Sequence, residues 1–198
     1  MLDSASFREI ALSNAHNRLL LDGLAELSLP QCHLTAGCLF QTVWNVLSAR
    51  PPSENIKDYD VFYFDGSDLS WEGEDSVIRR VARLADRLGL PVEVKNQARV
   101  HLWYEQRFGS EYPQLHSTRD GIARYLVRCT CVGIDVASGE VFAPDGFADL
   151  EAGILRINPV LPREELWRAK AEHYRERWPW LRIVDEGASP NRPGPRTR

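Results

Sequence analysis

The chain has 198 residues, of which 43% are hydrophobic and 26% are charged. These values are typical of one folded domain, which we expect over residues 1–184, with a Pro-, Gly- and Arg-rich tail at 185–198 that predicts disorder. The formal net charge of −4 argues against a protein that binds nucleic acid or an anionic membrane over its whole surface, because such proteins carry a strong basic excess.

The cysteines and the absence of long apolar runs indicate a cytoplasmic protein. The four cysteines are Cys32, Cys38, Cys129 and Cys131, and no two of them form a C-x-x-C pair. This spacing argues against a zinc site and predicts reduced thiols. The first ten residues carry acids where a signal peptide would be apolar, and no apolar run reaches the 18–20 residues of a membrane span.

Helical and strand periodicities alternate along the chain. In order, they predict a helix at 5–28 with a break near Asn14, a helix at 39–49, a strand at 59–64, a helix at 72–88, a short strand at 92–94, helices at 99–108 and 117–126, a hairpin formed by 129–136 and 140–142, and a helix at 164–177. Helices that alternate with strands predict an α/β (α+β) fold with a mixed sheet flanked by helices.

Two patterns of carboxylates carry the predicted chemistry. Asp58 and Asp60 are two positions apart at the start of a strand, so they share one face, and Glu93 lies on the next strand between two valines. Adjacent carboxylates repel each other unless a cation lies between them, and oxygen-only ligands favour Mg²⁺ or Mn²⁺. We therefore predict a metal site formed by Asp58, Asp60 and Glu93, provided that the two strands are neighbours.

A small-residue turn precedes the second helix. Gly37 and Cys38 follow a short strand-like segment, and a Gly there permits close approach of the backbone to a phosphate. The N-terminus of the helix offers unpaired N–H groups to the same phosphate. We therefore predict that backbone groups of Gly37 and Cys38 bind a nucleotide.

The segment after Glu93 has two interpretations. Lys95 and Arg99 follow the third carboxylate closely and could bind phosphate or an acceptor beside the metals. The same residues could equally form an ordinary polar turn between a strand and a helix. Trp103 and Tyr104 are most simply packing residues, and stacking on a base is the second interpretation.

The order of a Gly turn, a helix, an acidic pair on a strand, a long helix and a third acid resembles the nucleotidyltransferase superfamily. The segments AGCLFQTVWNVLSARPP, IKDYDVFYFD, EVKNQARVHLW and APDGFADLEAGILRINP are similar to an uncharacterised bacterial branch of that superfamily, over roughly residues 5–183. The resemblance implies a catalytic triad of Asp58, Asp60 and Glu93. The sequence differs from the superfamily pattern at the turn, where Gly37-Cys38 replaces Gly-Gly or Gly-Ser, and a thiol is a poor hydrogen-bond donor.

These features predict a metal-dependent enzyme that transfers NMP from an NTP to an acceptor and releases pyrophosphate. The acceptor is left open between a small molecule, a protein and RNA, without a strong nucleic-acid signature and without a membrane partner. The alternative is a non-catalytic module on the same fold that senses a nucleotide or binds a partner. The altered turn favours the alternative, and the complete set of three carboxylates favours the enzyme.

Overall fold

Two helices separated by a capped break open the chain in the computed structural model, which describes residues 1–185. They are α1 (Ser4–Ser13) and α2 (Ala15–Ala25), and Asn14 ends the first and begins the second. The Asn14 side chain accepts a hydrogen bond from the His16 amide at 3.1 Å, which satisfies a free donor of α2. The predicted break near Asn14 is thus confirmed. The predicted disordered tail lies outside the described residues, apart from its first residue.

A five-stranded mixed sheet forms the centre of the fold, as predicted. Its strands are β1 (His33–Thr35), β2 (Tyr59–Tyr63), β3 (Val92–Asn96), β4 (Gly133–Asp135) and β5 (Val141–Phe142), in the spatial order β3-β2-β1-β4-β5. The β2–β3 pair is parallel and the other pairs are antiparallel. The long helix α4 (Trp71–Leu88) supplies the crossover that a parallel pair requires. Its N-cap is Ser70, whose hydroxyl accepts a hydrogen bond from the Gly73 amide at 3.1 Å.

The two faces of β2 have different surroundings. Tyr59, Val61 and Tyr63 are at most 2% exposed and belong to the main hydrophobic core. Asp60 and Phe62 alternate with them and are only partly buried on the opposite face. One face of the sheet therefore packs on the core, and the other is free to form the floor of a cleft.

The C-terminal half adds helices and a second small sheet. The elements are α5 (Val100–Phe108), α6 (Thr118–Ile122), α7 (Ala148–Ala152), β6 (Ile154–Leu155), α8 (Glu164–Arg177) and β7 (Arg182–Ile183), with β6 and β7 paired in parallel. None of the helices in residues 1–185 is both long and apolar enough to cross a membrane.

Two local predictions for this half were wrong. Cys129 lies in a 3-10 turn (Arg128–Thr130) and not in a strand, and both Cys129 and Cys131 are buried. The helix predicted to reach residue 126 ends at Ile122. The Asn158 amide nitrogen donates to the carbonyls of Ala123 and Tyr125 at 2.8 and 2.7 Å, so a distant side chain stabilises the non-helical backbone there.

Candidate active site

The three predicted carboxylates lie at one end of the parallel strand pair. Asp60 on β2 is the register partner of Glu93 on β3, and Asp58 precedes β2 by one residue. Side chains in register on adjacent parallel strands point to the same side of a sheet, so Asp60 and Glu93 are lateral neighbours. The strand adjacency that the site requires is therefore present.

The electrostatics of Asp60 reflect this crowding. Burial, followed by the negative charges of Asp58 and Glu93, raises the pKa of Asp60 to about 7. Lys170 and Lys95 act in the opposite direction but do not cancel the rise. The ionised form of Asp60 is therefore disfavoured first by burial and then by neighbouring negative charge, and a bound cation would favour it.

The carboxylates do not form a closed metal cage. Within residues 1–185, no three His, Cys, Asp or Glu side chains come close enough together to hold an ion by themselves. Asp58 and Asp60 line the central cleft, whereas Glu93 is exposed and lies beside Asp60 outside the cleft lining. Mg²⁺ is commonly held by one or two carboxylates together with substrate phosphates and water, so the oxygen donors and the excess negative charge fit this ion.

The small-residue turn opens onto the same cleft. Ala36 and Gly37 both line it, and α3 (Gly37–Leu47) starts at the second of these residues. The Gln41 amide nitrogen lies 2.6 Å from the position that a Cβ on Gly37 would occupy, so a larger residue there would require the flexible Gln41 side chain to move. Gly37 is thereby in the predicted position, and its contact with a nucleotide stays a prediction.

The Cys38 thiol does not face the cleft. Cys38 is 0% exposed, and its thiol donates to the Thr35 carbonyl at 3.2 Å. The replacement of Ser by Cys after Gly37 therefore removes no hydroxyl from the cleft in this structure. With its thiol buried, Cys38 gives no reason to favour a non-catalytic module, and a backbone contact from Cys38 to a nucleotide stays a prediction.

Ala36 carries the unusual backbone of the turn. Its φ of 62° and ψ of −141° lie in a region that glycine alone adopts without cost. The sequence pattern predicted close approach of the backbone at Gly37 and no positive φ at the residue before it, where the structure places one. The strain lies directly at the N-terminus of α3, beside the carboxylates.

We expect Ala36→Gly to stabilise the protein by about 1 kcal/mol, because the relief of strain exceeds the extra entropy of an unfolded glycine. For a chain of this size, that change raises the melting temperature by about 2–4 °C. The matched control is Ala82→Gly, an exposed position within α4, which should lower the melting temperature. Equal losses in both variants would show that the Ala36 backbone is not strained.

Two lysines reach the cleft from different elements. Lys95 follows Glu93 on β3 and lines the cleft, as the phosphate interpretation requires. Lys170 on α8 lines it as well, and of the two it has the larger lowering effect on the pKa of Asp60. Lys170 was not predicted as a site residue from the sequence, because it is 77 positions after Glu93. Its rarity could have pointed to it, since the chain has only three lysines and the other two, Lys57 and Lys95, lie beside the carboxylates.

The docking of α8 on α3 explains how Lys170 reaches the site. The Tyr174 ring packs edge-on against the Trp44 ring, with centroids 5.4 Å apart, and Trp178 contacts the same indole at 5.3 Å. Lys170 is one turn before Tyr174, so the two share a helix face, and both line the cleft. The buried aromatic contact therefore sets the position of an exposed cation.

The predicted cleft contact of Arg99 is not supported by its position. Arg99 is only 8% exposed, and its guanidinium donates to the Glu74 carboxylate and to the Leu69 carbonyl. It also lies over the Trp71 ring, with 5.7 Å to the centroid. These contacts hold Arg99 against α4, outside the cleft lining, so its position does not support the predicted contact with phosphate, which stays a prediction.

A cleft of about 560 Å³ joins these features to an aromatic region. Phe62 and Tyr125 line its floor, with ring centroids 5.9 Å apart. Tyr125 also shares a hydrogen bond of 3.1 Å with the Thr35 hydroxyl, the register neighbour of Asp60. The far wall is formed by the aromatic side chains Trp103, Tyr104, Phe108 and Tyr112. The volume suits a ligand of nucleotide size.

Two solved structures are similar to this chain. One is an NMR structure reported to reveal a CCA-adding enzyme head domain; it is 24% identical, with a TM-score of 0.74, and the match covers 92% of this chain and 96% of that chain. The other is the Thermotoga maritima CCA-adding enzyme complexed with tRNA, which is 14% identical with a TM-score of 0.55, over 93% of this chain and 43% of that chain. At these identities the likeness shows the fold alone.

Sequence comparisons give the family. A search of curated proteins finds no match. A family model described as nucleotidyltransferase matches residues 22–183, which is most of the chain and includes all three carboxylates. The resemblance inferred from the carboxylate pattern and the turn is thus confirmed, and the chain belongs to this nucleotidyltransferase family.

Proposed function

We propose that the protein transfers NMP from an NTP to an acceptor with release of pyrophosphate. The observation that carries the proposal is the meeting of Asp58, Asp60 and the Ala36-Gly37 turn in one cleft, with Glu93 beside Asp60. Carboxylates supply a site for a cation, and the N-terminus of α3 supplies N–H groups for phosphate. Membership of the nucleotidyltransferase family supports the same reaction type.

The cation expected at the carboxylates is Mg²⁺ or Mn²⁺. When bound, it would neutralise the triphosphate and lower the pKa of the attacking hydroxyl. Asp58 and Asp60 would hold it from the cleft, and Glu93 would hold it from the adjacent strand. Glu93 is exposed, which would suit a residue that also receives the proton of the acceptor hydroxyl.

The triphosphate would lie between the turn and the two cleft lysines. Gly37 allows close approach of the backbone, and Cys38 follows it in the first turn of α3. Lys95 and Lys170 face the cleft from β3 and α8 and would oppose the negative charge of the leaving pyrophosphate. The acceptor is of unknown class; the tRNA bound to the similar CCA-adding enzyme makes RNA one class to test.

The direct test uses NTPs labelled at the α-phosphate, with Mg²⁺ and cell extract. We expect wild-type protein to label an acceptor and to release pyrophosphate, and Asp60→Asn to do neither. An Asp86→Asn variant, which changes an exposed acid on α4, is the matched control and should retain the activity. Labelling that is equal in wild type and Asp60→Asn would refute the proposed role of the carboxylates.

Lys170→Ala is expected to weaken NTP binding by about tenfold, which corresponds to the 1.4 kcal/mol of one charge-assisted contact. The substitution should leave the free energy of unfolding nearly unchanged, because the side chain is exposed and has no ion-pair partner among residues 1–185. Titration of ATP by calorimetry checks the affinity, and Lys170→Arg should restore part of it. Unchanged affinity in Lys170→Ala would place the triphosphate away from α8.

A further inference from the structure

The end of the cleft formed by α5 differs in chemistry from the carboxylate end. Trp103, Tyr104 and Phe108 line it from α5, and Tyr112 lines it from the segment that follows. The carboxylates and the turn belong to the other end. The cleft thus has a charged end and an aromatic end, and the proposed transfer reaction uses only the charged one.

Trp103 is supported by the rings around it. Tyr104 and Phe108 lie beside the indole with centroid distances of 6.1 and 6.4 Å, and they contact each other at 4.6 Å. Tyr104 is further held by Tyr112 at 4.2 Å. Trp103 is only half-buried, so part of the indole is open to the cleft. A broad ring that is fixed by its neighbours and open on one side is a suitable platform for stacking.

Two guanidinium groups accompany these rings. Arg124 lines the cleft and donates to the Asp120 carbonyl at 2.9 Å, and Arg163 lies 5.7 Å from the centroid of Tyr104. In the part of the chain that the structure describes, neither has a carboxylate partner. Aromatic rings combined with unneutralised arginines are typical of surfaces that bind nucleotides through a base and a phosphate or sugar.

The strand directions place the two ends apart. Thr35 on β1 pairs with Asp60, and β1 runs antiparallel to β2, so the turn after Thr35 lies near the start of β2. β3 runs parallel to β2, so α5 leaves the sheet near the end of β2, where Tyr63 pairs with Asn96. Five residues of strand span about 16 Å, so β2 provides a floor of roughly this length between the start of the strand and its end.

We propose that Trp103 is the platform of a nucleobase-stacking subsite at this aromatic end, with Arg124 beside it. The proposal rests on the proposed function, which places the phosphates beside the turn and the carboxylates. The base of the nucleotide would then point along the floor of the cleft towards α5. Stacking supplies the affinity, and it is tolerant of base identity because every base presents a π-face. The base is that of the NTP or the terminal base of a single-stranded acceptor.

The test compares the binding of ATP, CTP, inorganic tripolyphosphate and a short single-stranded oligoribonucleotide by calorimetry in the presence of Mg²⁺. Wild type should bind ATP at least about fivefold more tightly than tripolyphosphate, which is the fold-change equivalent to the weakest stacking contribution of about 1 kcal/mol. Trp103→Leu should lose that difference and leave tripolyphosphate binding unchanged. Trp103→Phe should restore part of the difference, and Trp71→Leu, an exposed tryptophan outside the cleft, should match wild type.

The outcomes separate the two proposals. Loss of ATP and CTP affinity in Trp103→Leu assigns the subsite to the base of the NTP, and selective loss of oligoribonucleotide affinity assigns it to the acceptor. If Trp103→Leu binds all four probes as wild type does, or weakens tripolyphosphate equally, the stacking subsite is refuted. The proposed function is tested independently by Asp60→Asn, which should weaken tripolyphosphate and ATP together whatever the result for Trp103.

Discussion

Asp60→Asn is expected to stabilise the metal-free protein at pH 8 by roughly 1–3 kcal/mol. Asp60 has a pKa of about 7 in the folded chain against 3.8 for an ordinary Asp, so the folded state binds this proton more tightly than the unfolded state does. The contribution of this group to stability is therefore complete below about pH 4 and is lost as the pH rises through about 7. A neutral Asn does not lose stability in this way as the pH rises. The expected stabilisation is set below the value that the full pKa difference implies, because the Asp60 side chain is partly exposed.

Urea unfolding at pH 5 and pH 8 in the presence of a chelator measures this effect. Wild type should lose more stability than Asp60→Asn between the two pH values, and Asp86→Asn should behave like wild type. Added Mg²⁺ should then stabilise wild type by about 2.7 kcal/mol at one hundred times its Kd, with little effect on Asp60→Asn. The same pH slope and the same Mg²⁺ response in both proteins would contradict the assignment of Asp60 to a cation site.

Arg99→Met is expected to destabilise the fold by about 3–5 kcal/mol. The substitution keeps the apolar bulk of the side chain but leaves the Glu74 carboxylate buried without its cation. Glu74 also accepts a hydrogen bond from the Asn96 amide at 2.8 Å, so the pair ties α4 to the end of β3. A loss of this size would lower the melting temperature by roughly 10 °C.

Lys95→Met is the matched comparison, since it removes a cation four residues earlier that lines the cleft. We expect it to change stability by less than about 1 kcal/mol and to weaken ATP binding. Chemical denaturation together with ATP titration of both variants distinguishes the two roles. If Arg99→Met were as stable as wild type but bound ATP poorly, Arg99 would contact phosphate after all, and its position against α4 would not describe the working state.

Two residues of the cleft wall, Asp60 and Ala36, lower the stability of the fold at the proposed site. Burial and the neighbouring charges of Asp58 and Glu93 make ionised Asp60 costly in the absence of a cation, and Ala36 has a backbone conformation that costs free energy in any L-residue. Both features belong to the wall of one cleft. Unfavourable charge and backbone strain are common where a protein forms a binding site before its ligand binds. This is why both substitutions that we expect to stabilise the chain, Ala36→Gly and Asp60→Asn, lie at the proposed site.

The sequence by itself determined the central elements and the carboxylates. The strand of Asp60 was predicted because residues 59–64 are rich in aromatic and β-branched side chains, and α4 because its apolar residues form one stripe. These are short-range properties, since they depend on residues within one element. The pairing of Asp60 with Glu93 was predicted on the condition that the two strands are neighbours, for which the long helix between them can supply the crossover, and the structure shows that pairing.

Only the tertiary structure decided which cations face the carboxylates. Arg99 is nearer to Glu93 in sequence than Lys170 is, yet Arg99 turns to Glu74, and Lys170 reaches the cleft because α8 packs on Trp44. The aromatic end depends in the same way on where α5 leaves the sheet. Contacts between residues far apart in sequence are set by the packing of whole elements, and no local periodicity encodes them.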